Sequence, residues 1–520
     1  MKESTFFALA AIIALLLSFA PQECHAATQA TSPELPPAIR NARAAASLKP
    51  FIEQAIAADS IPDPMQRCLR FPDPPGSHWH RDTVEAYCRL HFAPAPILDA
   101  DLHRLLHARR AAPLDDTLKR AYAQATATAD GRNRFDRMFL DFFQKPTASM
   151  RADIDVWKRQ SPRSPFAFAA SGTAEIAKAG DARGDAASDK TSDKQFHAMH
   201  QILLRARADL DRAASLDPRF TTTYAEMIDA AQFESDTNYA RRAATAGLAV
   251  DPANFMIHYN LMEMSEPKWG GSLEAMAQVA SHATARASLN PMLRVLTPAP
   301  AAAAAGITAC GCEGNQLPDL GSVFSELGQT SLLDGAGRGA SRLDRPDQSI
   351  PYLLEALRFN PTSGITRAVL VSDLNALQEF PAALSQADRC VGLAPKVSRC
   401  YEARGTVHLG LHQPGAAEQD WKIAMSMNPA NDWTVSQLQM LLMSQHRWND
   451  LWRLSEQQIR TRPKSPTGWI IRSAVQAYQP RPGLRDTEVY LVTHFSNDPA
   501  ASAAVEHARL DLALPPSPAR

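Results

Sequence analysis

Residues 396–429 read KVSRCYEARGTVHLGLHQPGAAEQDWKIAMSMNP, and this stretch decides the fold. It closes on Met427-Asn428-Pro429 and follows Leu393-Ala394-Pro395; Phe359-Asn360-Pro361 and Thr461-Arg462-Pro463 extend the series, each proline 34 residues from the next. Proline lacks an N–H and clashes with the preceding turn, so each one stops a helical run. A stop recurring at this period is the signature of stacked helical hairpins. The expectation is an all-α solenoid built from such hairpins.

The same spacing returns upstream. Leu216-Asp217-Pro218 and Val250-Asp251-Pro252 are 34 residues apart, and Leu289-Asn290-Pro291 follows after 39. The surplus coincides with Ser265-Glu266-Pro267-Lys268-Trp269-Gly270-Gly271-Ser272, where the glycine pair predicts a turn and Ser272 an N-cap. Between Pro291 and Pro361 lie 70 residues, close to two units, in which the pattern weakens. Ser171 to Lys194, poor in large apolar residues, reads as a poorly packed helix tail and loop, and Ile97 to Phe143 as amphipathic helix interrupted near Pro113 and Gly131. After Pro463 one further helix is expected at Ser465 to Tyr478, and a final one from Ala500 to Leu512.

Lys+Arg 54 against Asp+Glu 55 leaves the chain near neutral, with neither a basic nucleic-acid footprint nor a polybasic membrane-binding segment. Lys2, the apolar run Phe6 to Ala20, Pro21 and Cys24-His25-Ala26 before Ala27 have the order of a cleaved secretory signal. That run is short for a spanning helix, so no stable membrane insertion is expected after cleavage, and the compartment is periplasmic or extracellular. Removing Cys24 leaves six cysteines in three sequence-close pairs: Cys68 with Cys88, Cys310 with Cys312, and Cys390 with Cys400. Export favours disulfides, and closing the first loop would contribute roughly 3 kcal/mol.

The 34-residue unit resembles the tetratricopeptide repeat. In the unit ending at Pro429, Tyr401, Gly405, Ala417, Trp421 and Ala424 occupy that repeat's large, small, small, aromatic and small positions. Tyr224, Ala240 and Gly247 match in the unit ending at Pro252, Leu370 and Ala383 in the one ending at Pro395, and Gly337 and Ala356 in the one ending at Pro361. Leu451 breaks the pattern in the unit ending at Pro463. The resemblance implies a right-handed superhelix whose concave face binds protein or peptide. Residues 157–291, with Trp269-Gly270-Gly271-Ser272, resemble a second, uncharacterised family of exported proteobacterial proteins.

Chemistry-bearing groups are few. Cys68, His78, His80 and Cys88 could ligate zinc, although a disulfide with two loop histidines fits export better. His103 and His107 share a helical face and would need Asp99 or His91 to complete a metal site. His197 and His200 lack the spacing of a zinc-protease helix. Cys310-Gly311-Cys312 could close a small, reducible ring, with a structural staple as the simpler reading. Cys390 and Cys400 would bridge adjacent hairpins. No phosphate loop or nucleophile elbow is present.

These readings divide the chain into a signal peptide (1–26), an N-terminal helical region with a closed loop (27–150), degenerate repeats (151–295), an irregular connector (296–329), further repeats (330–512) and a disordered tail (513–520). The expected function is an exported scaffold for an unidentified protein or peptide, without catalysis, cofactor or nucleic acid. The alternative is a thiol-redox or metal-binding protein using Cys310 and Cys312 or the Cys68–Cys88 loop.

Overall fold

The structure, a computed structural model, describes residues 37–184, 186, 190–308, 311–312, 317–479 and 481–514. The signal segment, Cys310 and the end of the tail lie outside them. The described residues are helical almost throughout. Their strands are the two-residue Ile307–Thr308 and Gly311–Cys312, paired antiparallel with Ile307 opposite Cys312.

Helices come in successive antiparallel pairs, and the 34-residue period is written into the backbone as well as the prolines. Asp344, Gln378, His412 and His446 all take positive φ, between 53° and 61°, at that spacing. Each ends the first helix of a hairpin in the left-handed conformation. The next residue's N–H then turns back to an orphan carbonyl: Arg345 to Ala340, Glu379 to Leu374, Gln413 to His408 and Arg447 to Leu442, at 2.8–3.0 Å. Ser235 and the Asp236–Ala231 bond do the same upstream. This is the Schellman arrangement, here without glycine.

The chain divides into two compact units. One runs from Ala46 to Pro361; the other comprises Thr362–Arg520 with the described residues up to Ala45. The second holds the hairpins Gly364–Ala376/Phe380–Leu393, Ser398–Gly410/Pro414–Met427, Asp432–Ser444/Trp448–Thr461 and Thr467–Tyr478/Leu484–Phe495, then the helix Ser502–Asp511. Helix Leu484–Phe495 is one the sequence reading missed. It completes a hairpin where only a half was expected, burying Leu491 and Phe495.

In the first unit, Pro165–Arg183/Asp193–Leu216, Thr222–Gln232/Thr237–Val250, Phe255–Met264/Leu273–Thr284 and Thr330–Arg342/Pro346–Phe359 form hairpins. The expectation of poor packing after Ser171 is overturned. Ser171, Gly172, Thr173, Ala174, Ile176 and Ala179 are all buried, and a methyl group on Gly172 would meet Leu210 at 2.6 Å. Small residues here mean a close helix crossing. The interruptions expected near Pro113 and Gly131 are present: helix Asp99–His107 ends before Ala111–Ala125, and Ala111–Ala125 ends before Ala129–Phe143, with Pro113 and Gly131 each in the first turn of the helix that follows. The connector 296–329 is irregular but not loose: Leu296, Ala302, Ile307, Leu320, Phe324 and Leu327 join one core with Cys68, Trp79 and Cys88.

Polar contacts bind the N-terminal helices to the hairpins within this unit. Asn133 and Asn290 exchange amide hydrogen bonds, 3.1 Å each way. Buried Arg67 donates to the carbonyls of Leu357 and Arg358 at the end of Pro346–Phe359, and Arg358 returns a 2.8 Å bond to the Cys68 carbonyl. Trp79 Nε1 donates to the Phe324 carbonyl at 2.9 Å.

Candidate functional site

Helices Arg81–Phe92, Ala129–Phe143, Thr222–Gln232 and Phe255–Met264 surround a recess of about 520 Å³, closed on one side by residues 329–331. Helical spacing aims its lining. Glu226 and Asp229 stand three apart on one helix, and Phe255, Tyr259 and Glu263 four apart on the next, so each set shares a face. Arg137, Asp141 and His91 come from the N-terminal helices.

Charge in this recess is unbalanced. Glu226 is 1% exposed, and neither carboxyl oxygen has a hydrogen-bond partner. The Thr173 hydroxyl is near enough to favour the ionised form slightly, yet makes no bond of acceptable geometry. Burial, reinforced by Asp229, pushes the Glu226 carboxyl up to about 8. Burial raises Asp229 to about 6; burial and then Glu266 raise Glu263 to about 7. Arg137 does not compensate them, being held by Asp141 at 3.2 Å and the Leu90 carbonyl at 3.2 Å. Burial, then Arg137, depress His91 to about 3, so its imidazole is neutral. An unpaired buried carboxyl costs folding free energy, which makes such a group a candidate for function.

A larger cavity, about 950 Å³, lies in the same unit beside Tyr122 and Ser164. In its lining Arg132 lies 2.9 Å from Asp251, and Asp115 accepts from Trp157 Nε1 at 3.0 Å.

The motif Trp269-Gly270-Gly271-Ser272 is turn chemistry next to the recess. Gly270 has φ +86°, a Cβ on Gly271 would stand 2.1 Å from the Ser265 carbonyl oxygen, and Ser272 Oγ accepts from Ala275 N at 3.1 Å. Trp269 lies 6.3 Å from Phe233, ring to ring, and is absent from the recess lining. The turn does carry Glu266, which repels Glu263 and is itself paired with Lys268 at 2.5 Å.

Cys68 and Cys88 are bridged and fully buried, so neither sulfur is a thiolate for zinc. His78 and His80 are exposed, His80 lying 3.3 Å from Glu326. This overturns the metal-binding alternative at that loop. His103 pairs with Asp99 at 3.5 Å, while His107 goes to Asp153 and His91 to the recess. His200 pairs with Glu234. Cys390 and Cys400 are bridged, joining Phe380–Leu393 to Ser398–Gly410. The Cys310–Cys312 pairing falls outside the described residues. Among the described residues, Glu488, His507 and Asp511 in the other unit bring three potential metal ligands within 4.8 Å of one another.

In the unit ending at Pro429, Ala417, Trp421 and Ala424 are fully buried, Gly405 lies against the Trp421 indole, and Tyr401 donates to the Pro395 carbonyl at 3.3 Å. The acids of the recess escaped the sequence reading. The signal available was Glu226 and Asp229 within the otherwise apolar Tyr224-Ala225-Glu226-Met227-Ile228-Asp229-Ala230-Ala231.

No family model matches the chain, and no curated protein matches it. Solved structures with some similarity include PilF of Pseudomonas aeruginosa, 13% identical over 45% of this chain and 89% of that one, with a TM-score of 0.27. MamA is 15% identical over 40% of this chain and 92% of its own, with a TM-score of 0.22. YrrB, described as a TPR protein with an unusual peptide-binding site, is 12% identical over 56% and 97%, with a TM-score of 0.20. At such scores these likenesses add nothing to the fold, which rests on the hairpins described above.

Proposed function

We propose that the chain is an exported, non-catalytic docking scaffold whose recess between Thr222–Gln232 and Phe255–Met264 receives a segment of a protein or peptide partner. The observation that carries this reading is Glu226, buried, unpartnered and lining an otherwise ordinary interhelical recess. Folding alone gains nothing from such a group, whereas a bound partner can complete its interactions. Aromatic rings and a few polar groups around a cavity of this size are typical of a binding site. Two disulfides among the described residues support an oxidising compartment. No helix among those residues is long and apolar enough to cross a membrane.

Selection of random displayed peptides on the purified chain, followed by hydrogen exchange with an enriched peptide, tests this. The expected result is protection of Thr222–Gln232 and Phe255–Met264. Enrichment of no peptide, or protection confined to other helices, would contradict it.

A further inference from the structure

We propose that the recess takes the cationic end of a lysine or arginine side chain of the docked segment, with Glu226 as its counter-ion, and that binding expels a proton. This rests on the docking reading above and adds the chemistry of what is docked.

The lining is that of a cation receptor. Carboxyl groups approach from two helices, Glu226 and Asp229 from one and Glu263 from the other, and the rings of Phe255 and Tyr259 stand beside them. Carboxylates with aromatic faces are how proteins hold organic cations. An anion would meet these acids unfavourably. A metal ion would need at least three oxygens converging on one point, and among the described residues the recess contains no such group. An elongated side chain ending in an ammonium or guanidinium group can reach acids that do not converge.

The proton follows from the charges facing Glu226. Asp229 on its own helix and Asp136 on Ala129–Phe143 both oppose its ionisation, and only the Thr173 hydroxyl on Pro165–Arg183 favours it. On Phe255–Met264, Glu263 is pressed further by Glu266 and relieved in part by Lys268, while Tyr259 is held protonated by burial. On Arg81–Phe92, His91 is neutral, and Tyr87 is likewise kept protonated by burial. Free of ligand, Glu226 therefore holds its proton at neutral pH. When a cation enters, the carboxyl O–H breaks heterolytically, the electron pair stays on the carboxylate, and the proton leaves to buffer. One cation enters and one leaves, so the buried charge is paired.

The test is calorimetry of the full chain with three N-acetylated, C-amidated tripeptides: Ala-Lys-Ala, Ala-Arg-Ala and the neutral Ala-Met-Ala. Titrations in buffers of different ionisation enthalpy count the protons released. The lysine and arginine peptides should bind and the methionine peptide should not. Affinity should rise by about tenfold or more between about pH 6 and about pH 8, as a one-proton linkage requires, with release approaching one proton at the lower pH. Glu226→Gln should weaken the lysine peptide at least about tenfold at the higher pH and abolish the release, while the exposed Glu274→Gln changes neither. If Glu226→Gln does not fold, Asp229→Asn removes the negative neighbour that opposes Glu226 ionisation, and should reduce the proton release at the lower pH and flatten the pH profile without abolishing lysine-peptide binding. Equal binding of the methionine peptide, or an unchanged pH profile in the variants, would overturn the cation while leaving docking intact. Putrescine binding as tightly as the lysine peptide would overturn the side-chain source. If no peptide binds and no helix is protected, docking itself fails.

Discussion

A methyl group on Gly405 would stand 2.6 Å from the indole Nε1 of Trp421. The two helices of that hairpin cross where glycine is needed, because the fully buried indole fills the space a Cβ would take. Gly405→Ala should therefore cost about 1–3 kcal/mol in urea unfolding. Gly415→Ala, in the same hairpin with nothing within 4 Å of its Cβ, should instead gain up to about 1 kcal/mol.

Gly271 is constrained by backbone rather than by a side chain. Its added Cβ would meet the Ser265 carbonyl oxygen at 2.1 Å, and a carbonyl at a helix end cannot swing aside as a long side chain can. Gly271→Ala should destabilise the first unit by about 1–3 kcal/mol. By moving Glu266 relative to Glu263 it should also weaken peptide binding. Thermal melts and calorimetry together check both effects.

The two bridges should act through the unfolded chain. Separations of 20 residues for Cys68–Cys88 and 10 for Cys390–Cys400 each correspond to about 3 kcal/mol of loop entropy. Replacing either pair by alanine should lower the melting temperature and remove that pair's sensitivity to reductant. None of these four cysteines should react with a thiol reagent in the denatured, unreduced chain.

Arg67, 3% exposed, holds Asp59 at 3.1 Å while donating to the last carbonyls of Pro346–Phe359. Arg67→Ala removes a buried ion pair and the donors to those carbonyls, a loss of about 3 kcal/mol. Chemical unfolding followed at Trp79, which bonds the Phe324 carbonyl in the same unit, should report it.

Stability should depend on pH through the recess. The Glu226 carboxyl sits near 8 in the folded chain against 4.5 in the unfolded one, so between those values the folded state binds more protons. Stability then falls as pH rises from about 4.5 to about 8, and what the protonated group contributes is gone above that. Glu226→Gln should flatten this slope in melts across the range. An unchanged slope would show that other groups carry it.

The hairpins were legible because the prolines, small residues and aromatics recur at fixed positions, and a helix must stop where proline follows. The left-handed turns at Asp344, Gln378, His412 and His446 share the period but none is a glycine, so composition hid them. Helix Leu484–Phe495 was missed because no proline at the 34-residue spacing follows it to mark the end of a unit. Small residues after Ser171 were misread because close packing and poor packing look alike until the partner, Leu210, is known. The recess was illegible for a deeper reason. Glu226 and Asp229 alone are two acids on a helix, and only the approach of Ala129–Phe143 and Phe255–Met264 encloses them in a cavity and leaves Glu226 without a hydrogen-bond partner.

A crystal structure of the chain with a selected lysine-containing peptide is the decisive test of the recess as a cation site. The lysine ammonium should lie within hydrogen-bonding distance of a Glu226 carboxyl oxygen, between Thr222–Gln232 and Phe255–Met264. A peptide seated elsewhere with the recess unchanged, or one that places an apolar side chain against Glu226, would contradict it.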